Sequence, residues 1–484
     1  MFNNFRPREG ETVYLQVHDF LKQMIRTAAL QPHDKLPSTR EMVGRLGVSR
    51  NTIIAAYNQL ELEGLIYSIQ GKGSFVQEAA GPSVAAWEMN WNSRINDYAG
   101  VAEEMDPLKH GVRPERGMIA FSSIAPDEKL FDLNNFKRAF LDRVSIEGEV
   151  VLNYGYAQGY QPLIDYLRGY MESKGTDMFG KDILITNGFT EGLDLLLSSF
   201  RKRSGRILCE NPTHHSALRL FRMHGFEVRG VAMEPDGLDL EQLEAALAEQ
   251  AYDLAYLIPS YHNPTGIVMS PDKRVEALRL FGRYGVPVVE DGFSEELRYS
   301  GAHVAPLIAT GGAGNGVAYI GSFSKILFPG IRVGWLAADR ELIDALESVK
   351  RARSIHTSTL DQSLLYQYLH NGYFDKYLKK ARQVYKSRYE AAVHACREHI
   401  PFVRLSGDGG LHLFVELDPA VDTEILLDQC YEQGVVFTPG ETFYTDGGGR
   451  HTMRLGFSRL TEEQIERGIS VIGRTIRTWE PANE

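Results

Sequence analysis

The chain has 484 residues, 43% of them hydrophobic, and a formal net charge of −11. That length exceeds one ordinary domain and allows large cores, the acidic balance argues against non-specific nucleic-acid binding by the chain as a whole, and no stretch reaches the apolar length of a membrane span. Cys209, Cys396 and Cys430 lie far apart without metal-ligand spacing, and Met1-Phe-Asn-Asn-Phe-Arg6 lacks a signal-peptide layout, so the expectation is a cytoplasmic protein with free buried thiols and no metal site.

Residues 1–80 hold nine basic against eight acidic side chains, which leaves an excess of twelve acidic charges beyond residue 80. A DNA-binding head on an acidic body fits that distribution. From Thr12 to Ala28, the residues Tyr14, Val17, Leu21, Met24 and Ala28 recur at helical spacing and predict an amphipathic helix. A second helix starts at the N-cap Ser38 and stops at Gly47. Ser49 caps a third, in which Ile53, Ala56, Tyr57 and Leu60 face inward while Arg50, Asn51 and Asn58 stay outside. Leu65–Ile69 and Ser74–Val76 flank Gly71-Lys72-Gly73 as a hairpin with a basic tip.

Two helices joined by a tight turn and followed by a β wing predict a winged helix-turn-helix, whose third helix would enter a major groove. A small helical protein-interaction module has the same pattern. Leu-Pro-Ser-Thr-Arg40, Gly-Val-Ser-Arg-Asn-Thr52 and Gly-Leu-Ile-Tyr-Ser-x-x-Gly-Lys-Gly-Ser-Phe-Val76 resemble the DNA-binding domain of GntR-type bacterial regulators over about seventy residues. The resemblance implies contacts to double-stranded DNA through Arg40, Ser49, Arg50, Asn51, Thr52, Lys72 and Gly73. Whether Arg40 and Arg50 serve phosphates or guanine edges stays open at this point.

The predicted division is a winged helix-turn-helix over 1–79, a partly ordered linker over 80–115 containing Trp87 and Trp91, and a third region over 116–484. In the third region Lys181–Thr186, Arg206–Cys209, Leu254–Ile258, Val286–Val289 and Val317–Ile320 read as strands alternating with helices, one of them started by Ser270-Pro271. That order implies a mostly parallel sheet with its site at the strand ends. A long polar helix through 375–398 and the stretch Gly410–Glu416 imply a smaller α+β subdomain.

Within that region, Gly321-Ser-Phe-Ser-Lys-Ile-Leu-Phe-Pro-Gly-Ile-Arg-Val-Gly-Trp335 follows a buried strand with one lysine between two serines and an arginine. Burial favours the neutral amine of Lys325, the form that attacks a carbonyl. Ser322, Ser324 and Arg332 offer donors to a phosphate. Pyridoxal 5′-phosphate meets both demands. The segment resembles the cofactor-lysine segment of fold-type I aminotransferases, in which Lys325 would form the Schiff base.

The rest of the region carries the same resemblance. Thr186-Asn-Gly-Phe-Thr-Glu-Gly192 resembles the phosphate turn, with Gly188, Phe189 and Thr190 at a helix N-terminus. Asn263 in His-Asn-Pro-Thr-Gly266 matches the donor to the pyridine 3′-oxygen, and Asp291 the partner of the pyridine nitrogen. Arg454 in Met-Arg-Leu-Gly-Phe-Ser matches the arginine that grips a substrate or effector carboxylate. Tyr154, with Tyr156 as alternative, resembles the tyrosine that reaches the partner subunit's phosphate. Two positions depart from the pattern: Phe293 stands where the family has a tyrosine donating to the 3′-oxygen, and His214 where an aromatic ring stacks on the cofactor. Both put catalytic tuning in doubt.

A GntR-type head on an aminotransferase-like body is the layout of MocR-type transcriptional regulators. The resemblance implies a head-to-tail homodimer that binds an operator and senses an amino compound through an external aldimine, acting mainly as a regulator and leaving room for weak or partial transaminase activity. The alternative is a working aminotransferase with an appended DNA-binding domain.

Overall fold

The computed structural model describes residues 2, 5, 7, 12–78, 89–299 and 301–478. Contacts divide the chain into two compact units, Met1–Arg94 and Ile95–Glu484. Residues 80–88 of the stretch read as a linker, Trp87 among them, lie outside the described residues, whereas Trp91 begins a short 3-10 turn and is exposed.

The first unit has helices Val13–Arg26, Thr39–Leu46 and Arg50–Leu62, then the hairpin Ile66–Ile69 with Gly73–Val76. The first helix stops short of the expected Ala28. The Thr27 hydroxyl turns back to the Gln23 carbonyl oxygen at 2.9 Å, and Ala28 has left-handed backbone with φ 55°. The second is closed at both ends by its sequence. Ser38 and Glu41 exchange bonds as a capping box, with Glu41 Oε2 accepting from Ser38 N at 2.8 Å, and Gly47 takes φ 68° beyond the last turn. Ser49 Oγ accepts from Thr52 N at 3.2 Å and so fixes where the third helix begins. Val17, Leu21, Met42, Ile53, Ala56, Leu60, Ile66 and Val76 form the core of this unit.

The second unit is built on an eight-stranded sheet. Its order is Lys181–Thr186, Gly334–Asp339, Val317–Ser322, Val288–Asp291, Leu254–Leu257, Arg206–Asn211, Glu227–Glu234 and Gly237–Leu238. Gly334–Asp339 runs antiparallel to both neighbours and Gly237–Leu238 antiparallel to Glu227–Glu234; the remaining pairs are parallel. Strands buried on both faces read as apolar runs, which is why most were visible in the sequence. The strand expected at Val286–Val289 starts after Pro287 and continues to Asp291. Ser270 Oγ accepts from Lys273 N at the start of the helix Pro271–Tyr284, as its Ser-Pro pair requires. A four-stranded antiparallel sheet of Arg404–Ser406, His412–Glu416, Thr452–Gly456 and Thr438–Pro439 has its own core, joined by the helices Tyr373–His399 and Glu462–Arg477. All three cysteines are free and buried. Among the described residues no helix is long and apolar enough to cross a membrane.

Candidate functional site

The parallel strands bring their C-terminal ends together at Thr186, Asn211, Leu257, Asp291 and Ser322, and the loops leaving those ends carry most of the residues singled out above. Lys325 lies three residues past the strand Val317–Ser322. Burial, then Arg454, Arg459 and Arg332, pushes its amine down to about 8, against the pull of Asp291. An amine so displaced is partly neutral near neutral pH, the form that can attack a carbonyl.

Beside Lys325 a set of donors converges. Arg332 sits at φ 49°, donates Nη2 to the Asn187 carbonyl oxygen at 2.7 Å and Nη1 to Ser324 Oγ at 3.4 Å, while Ser324 N donates to Ser322 Oγ at 3.2 Å. Gly188, with φ 79°, is the N-cap of the helix Phe189–Ser199. A Cβ on Gly188 would stand 2.9 Å from Arg332 Nη2, and one on Gly334 would stand 2.8 Å from the Gly188 Cα. Only glycines allow the turn to close on the arginine there. The first N–H groups of the helix, from Phe189 and Thr190, have no intrahelical acceptor, so hydroxyls, guanidinium and helix N-terminus together form an anion cradle.

On the other side stands a group of buried polar residues. Asp291 Oδ2 accepts from Tyr256 Oη at 2.6 Å. Burial raises its carboxyl to about 7, with Glu210 adding to the rise and Tyr256 and Lys325 opposing it. Glu210 is fully buried; its Oε2 accepts from Ile258 N at 2.9 Å and lies 3.4 Å from His262 Nε2. Asn263 is fully buried too, its Oδ1 accepts from Arg454 Nη1 at 2.8 Å, and its Nδ2 has no partner within the protein. Arg454 lies over the Phe443 ring at 4.8 Å, its Nε is also unpartnered, and burial alone pushes its guanidinium down to about 9. Unpaired donors buried at this depth cost about 1–3 kcal/mol each unless a ligand takes them.

His214 is the N-cap of the helix His215–Met223 and its ring centroid lies 5.6 Å from that of Phe189. Burial, with the neighbouring His215, Lys325 and Arg454, holds its imidazole well below the ordinary range, so it is neutral. Phe293 is buried, 6.1 Å from the ring of His412. Tyr154 and Tyr156 are not brought into this group; both are about four-fifths exposed, at 80% and 81%. In the first unit Arg40, Ser49, Arg50, Asn51, Lys72 and Gly73 are exposed and Thr52 is half-buried. Thr52 also shares a hydrogen bond with Ser49 Oγ at 2.8 Å, so these two hydroxyls already serve the helix cap. Sequence reasoning missed Tyr256 and His412, and gave Glu210 no role. The only signal for Tyr256 was a hydroxyl inside an apolar strand that ends beside the asparagine loop.

Residues 118–472 match the family model for aminotransferase class I and II, and residues 13–76 match that for bacterial regulatory proteins of the gntR family. Aromatic-amino-acid aminotransferase 1 of Thermococcus litoralis is 34% identical over 67% of this chain and 80% of its own length. The probable rhizopine catabolism regulatory protein MocR of Rhizobium meliloti is 26% identical over 95% of this chain and 92% of its own. The crystal structure of a multiple substrate aminotransferase from Thermococcus profundus superposes with a TM-score of 0.76 at 30% identity, covering 80% of this chain and 98% of that one.

Proposed function

The chain belongs to the class I and II aminotransferase family, and from that premise we propose that it is a pyridoxal phosphate-dependent transcriptional regulator of the MocR type. The observation that carries this reading is the joining of two parts in one chain, a gntR-family head and an aminotransferase body, matched over nearly its whole length by a regulator. The functional boundaries we assign are 1–79 for the DNA-binding head, 80–115 for the linker and 116–484 for the cofactor- and effector-binding body.

The residues fit the cofactor that the family implies. The orphaned Asn263 Nδ2 and the glycine-lined cradle at Gly188 and Arg332 are features that a ring oxygen and a phosphate would satisfy. When bound, pyridoxal phosphate supplies an aldehyde carbon to amines and a ring that withdraws electrons. In this reading Lys325 is the amine that holds the aldehyde carbon, and Asp291 keeps a proton on the ring nitrogen. Asn263 donates to the 3′-oxygen. Gly188, Phe189, Thr190, Ser322, Ser324 and Arg332 hold the phosphate, His214 covers the ring as a neutral imidazole, and Tyr154 reaches the phosphate held by the partner in a head-to-tail homodimer. Arg454 pairs with the carboxylate of an amino-compound effector. Phe293 offers no donor to the 3′-oxygen, which leaves Asn263 alone there and favours capture of an amine over turnover.

In the head, the exposed cations Arg40, Arg50 and Lys72 face operator DNA. A working aminotransferase is the second reading, favoured by the 34% identity to an enzyme that covers 67% of this chain; weak transamination is compatible with the first. The deciding experiment selects duplexes from a random library with the cofactor-loaded full chain, then measures affinity for them with and without an amine that alters cofactor absorption. Linkage requires the amine to shift DNA affinity by the factor by which DNA shifts amine affinity. Absence of any selected duplex, together with multiple turnovers of keto acid, would leave the enzyme reading in its place.

A further inference from the structure

A cavity of about 420 Å³ opens between the first turns of the helix Tyr373–His399 and the residues Glu295, Glu296, Arg298 and His303. None of the residues assigned to the cofactor lines it. Its floor is a charge cluster in which Lys174 donates to Glu295 and, at 2.6 Å, to Glu296, while Tyr170 also donates to Glu296. All three charged side chains are more than nine-tenths buried. The Glu295 carboxylate accepts from Tyr319 Oη as well, at 3.1 Å. The floor is therefore largely committed within itself, although it holds two carboxylates against one ammonium and Glu296 Oε2 has no partner within the protein.

The mouth is different. Arg298, Lys379 and Arg382 line it, and among the described residues none of the three has a carboxylate within ion-pairing distance. Arg382 Nε donates to the Glu296 carbonyl oxygen at 2.6 Å, which fixes the side chain and leaves its two terminal nitrogens without a protein acceptor. Asp375 is the one exposed carboxylate of the lining and lies in the first turn of its helix, where the helix N-terminus already offsets it. His303 turns a ring nitrogen to the Lys174 carbonyl oxygen at 3.3 Å and adds no fixed charge.

Three cations around one concave mouth repel one another until an anion sits among them. Two guanidinium groups and an ammonium match the several oxygens of a phosphate better than the two of a carboxylate. We propose that this cavity is a second anion site, taking a phosphate group on Arg298, Lys379 and Arg382. The phosphate is either that of a free small molecule or that of a nucleic-acid backbone.

Calorimetric titration of the cofactor-loaded full chain with inorganic phosphate, at constant ionic strength against chloride, tests the first source, because the cofactor already fills the cradle at Arg332. The parent should bind phosphate saturably, and Arg298→Gln with Lys379→Gln should bind at least tenfold more weakly with unchanged cofactor absorption. For the second source, the salt dependence of duplex binding should flatten in the same variant, by about 0.9 in log–log slope for each backbone phosphate that is no longer neutralised. Arg298→Gln alone serves if the pair of substitutions impairs folding. Weakening in the first arm assigns a free phosphate, and flattening in the second assigns a DNA backbone. A parent indistinguishable from the variants in both arms overturns the site.

Discussion

At Asp291 two effects oppose each other: burial raises the carboxyl to about 7, and the Tyr256 hydroxyl at 2.6 Å stabilises the ionised form. In the cofactor-free chain the folded state holds this proton more tightly than the unfolded one. The group therefore favours the fold at low pH and loses that contribution as pH rises from its ordinary 3.8 to about 7. The ionised carboxylate is the form that pairs with a protonated ring nitrogen, so cofactor binding should tighten over the range in which that stability is lost. Tyr256→Phe removes a bond to a charged group, worth about 1.5–3 kcal/mol, and must raise the pKa further. We expect roughly tenfold weaker cofactor binding at pH 7, recovered at higher pH, in absorption titrations of the cofactor-free protein; an unmoved pH midpoint would show that Tyr256 only fills space. Tyr256 stayed hidden in the sequence while Lys325, Asn263, Asp291 and Arg454 did not, and the reason is physical. Lys325 and Asn263 stand in loops, Asp291 at a strand end and Arg454 within a short strand, each inside a motif that constrains spacing, whereas the hydroxyl of a buried strand tyrosine finds its partner through sheet registry, and Tyr256 pairs with Val289 rather than with Asp291 itself.

Capped helices were legible at the level of the element because a cap is a local contract between residues three apart. Ser38 with Glu41, Ser49 with Thr52 and Ser270 with Lys273 all make the bonds their spacing implies. Several strands were not legible, and two show why. Glu227–Glu234 is polar at both ends and carries Gly230, where a Cβ would meet Asn211 and Thr445, so its pattern reflects neighbours remote in sequence. Gly334–Asp339 begins inside the segment that supplies the anion cradle, and its antiparallel direction is set by the partners Val317–Ser322 and Lys181–Thr186, not by its own residues. The cap on the helix Arg50–Leu62 allows a direct test. Ser49→Ala leaves Thr52 N without its acceptor and should cost about 1 kcal/mol. Hydrogen exchange on the full chain should then run roughly fivefold faster at amides of that helix, with no change in the sheet of the second unit. Unchanged exchange would mean that the hydroxyl serves contacts outside the helix rather than its start.

The whole molecule exposes an apolar run that a lone chain has no use for. On and after the helix Leu133–Glu147, Leu141, Ile146, Val150 and Leu152 are 64%, 66%, 72% and 75% exposed, and Tyr154 follows directly. Large apolar side chains concentrated in so short a segment mark an association surface rather than ordinary scatter. Just past that run the chain is anchored: buried Lys350 donates to the Ala157 carbonyl oxygen at 2.9 Å and also to that of Ile185, and Gln158 Nε2 donates to the Ile183 carbonyl oxygen at 3.0 Å. An exposed apolar segment carrying a tyrosine and followed by an anchored stretch suits an isologous contact in which each copy offers Tyr154 to the other. Leaving Val150 and Leu152 in water forgoes about 1.5–3 kcal/mol each relative to burial, and a carboxylate at either place would have to be buried without a partner. Val150→Glu with Leu152→Glu should therefore convert the proposed dimer to monomers in sedimentation. If Tyr154 reaches the partner's phosphate, those monomers should also hold the cofactor more weakly, as Tyr154→Phe should within an intact dimer. A variant that sediments like the parent refutes the interface, and monomers that retain the cofactor undiminished refute the role of Tyr154 while leaving the interface standing.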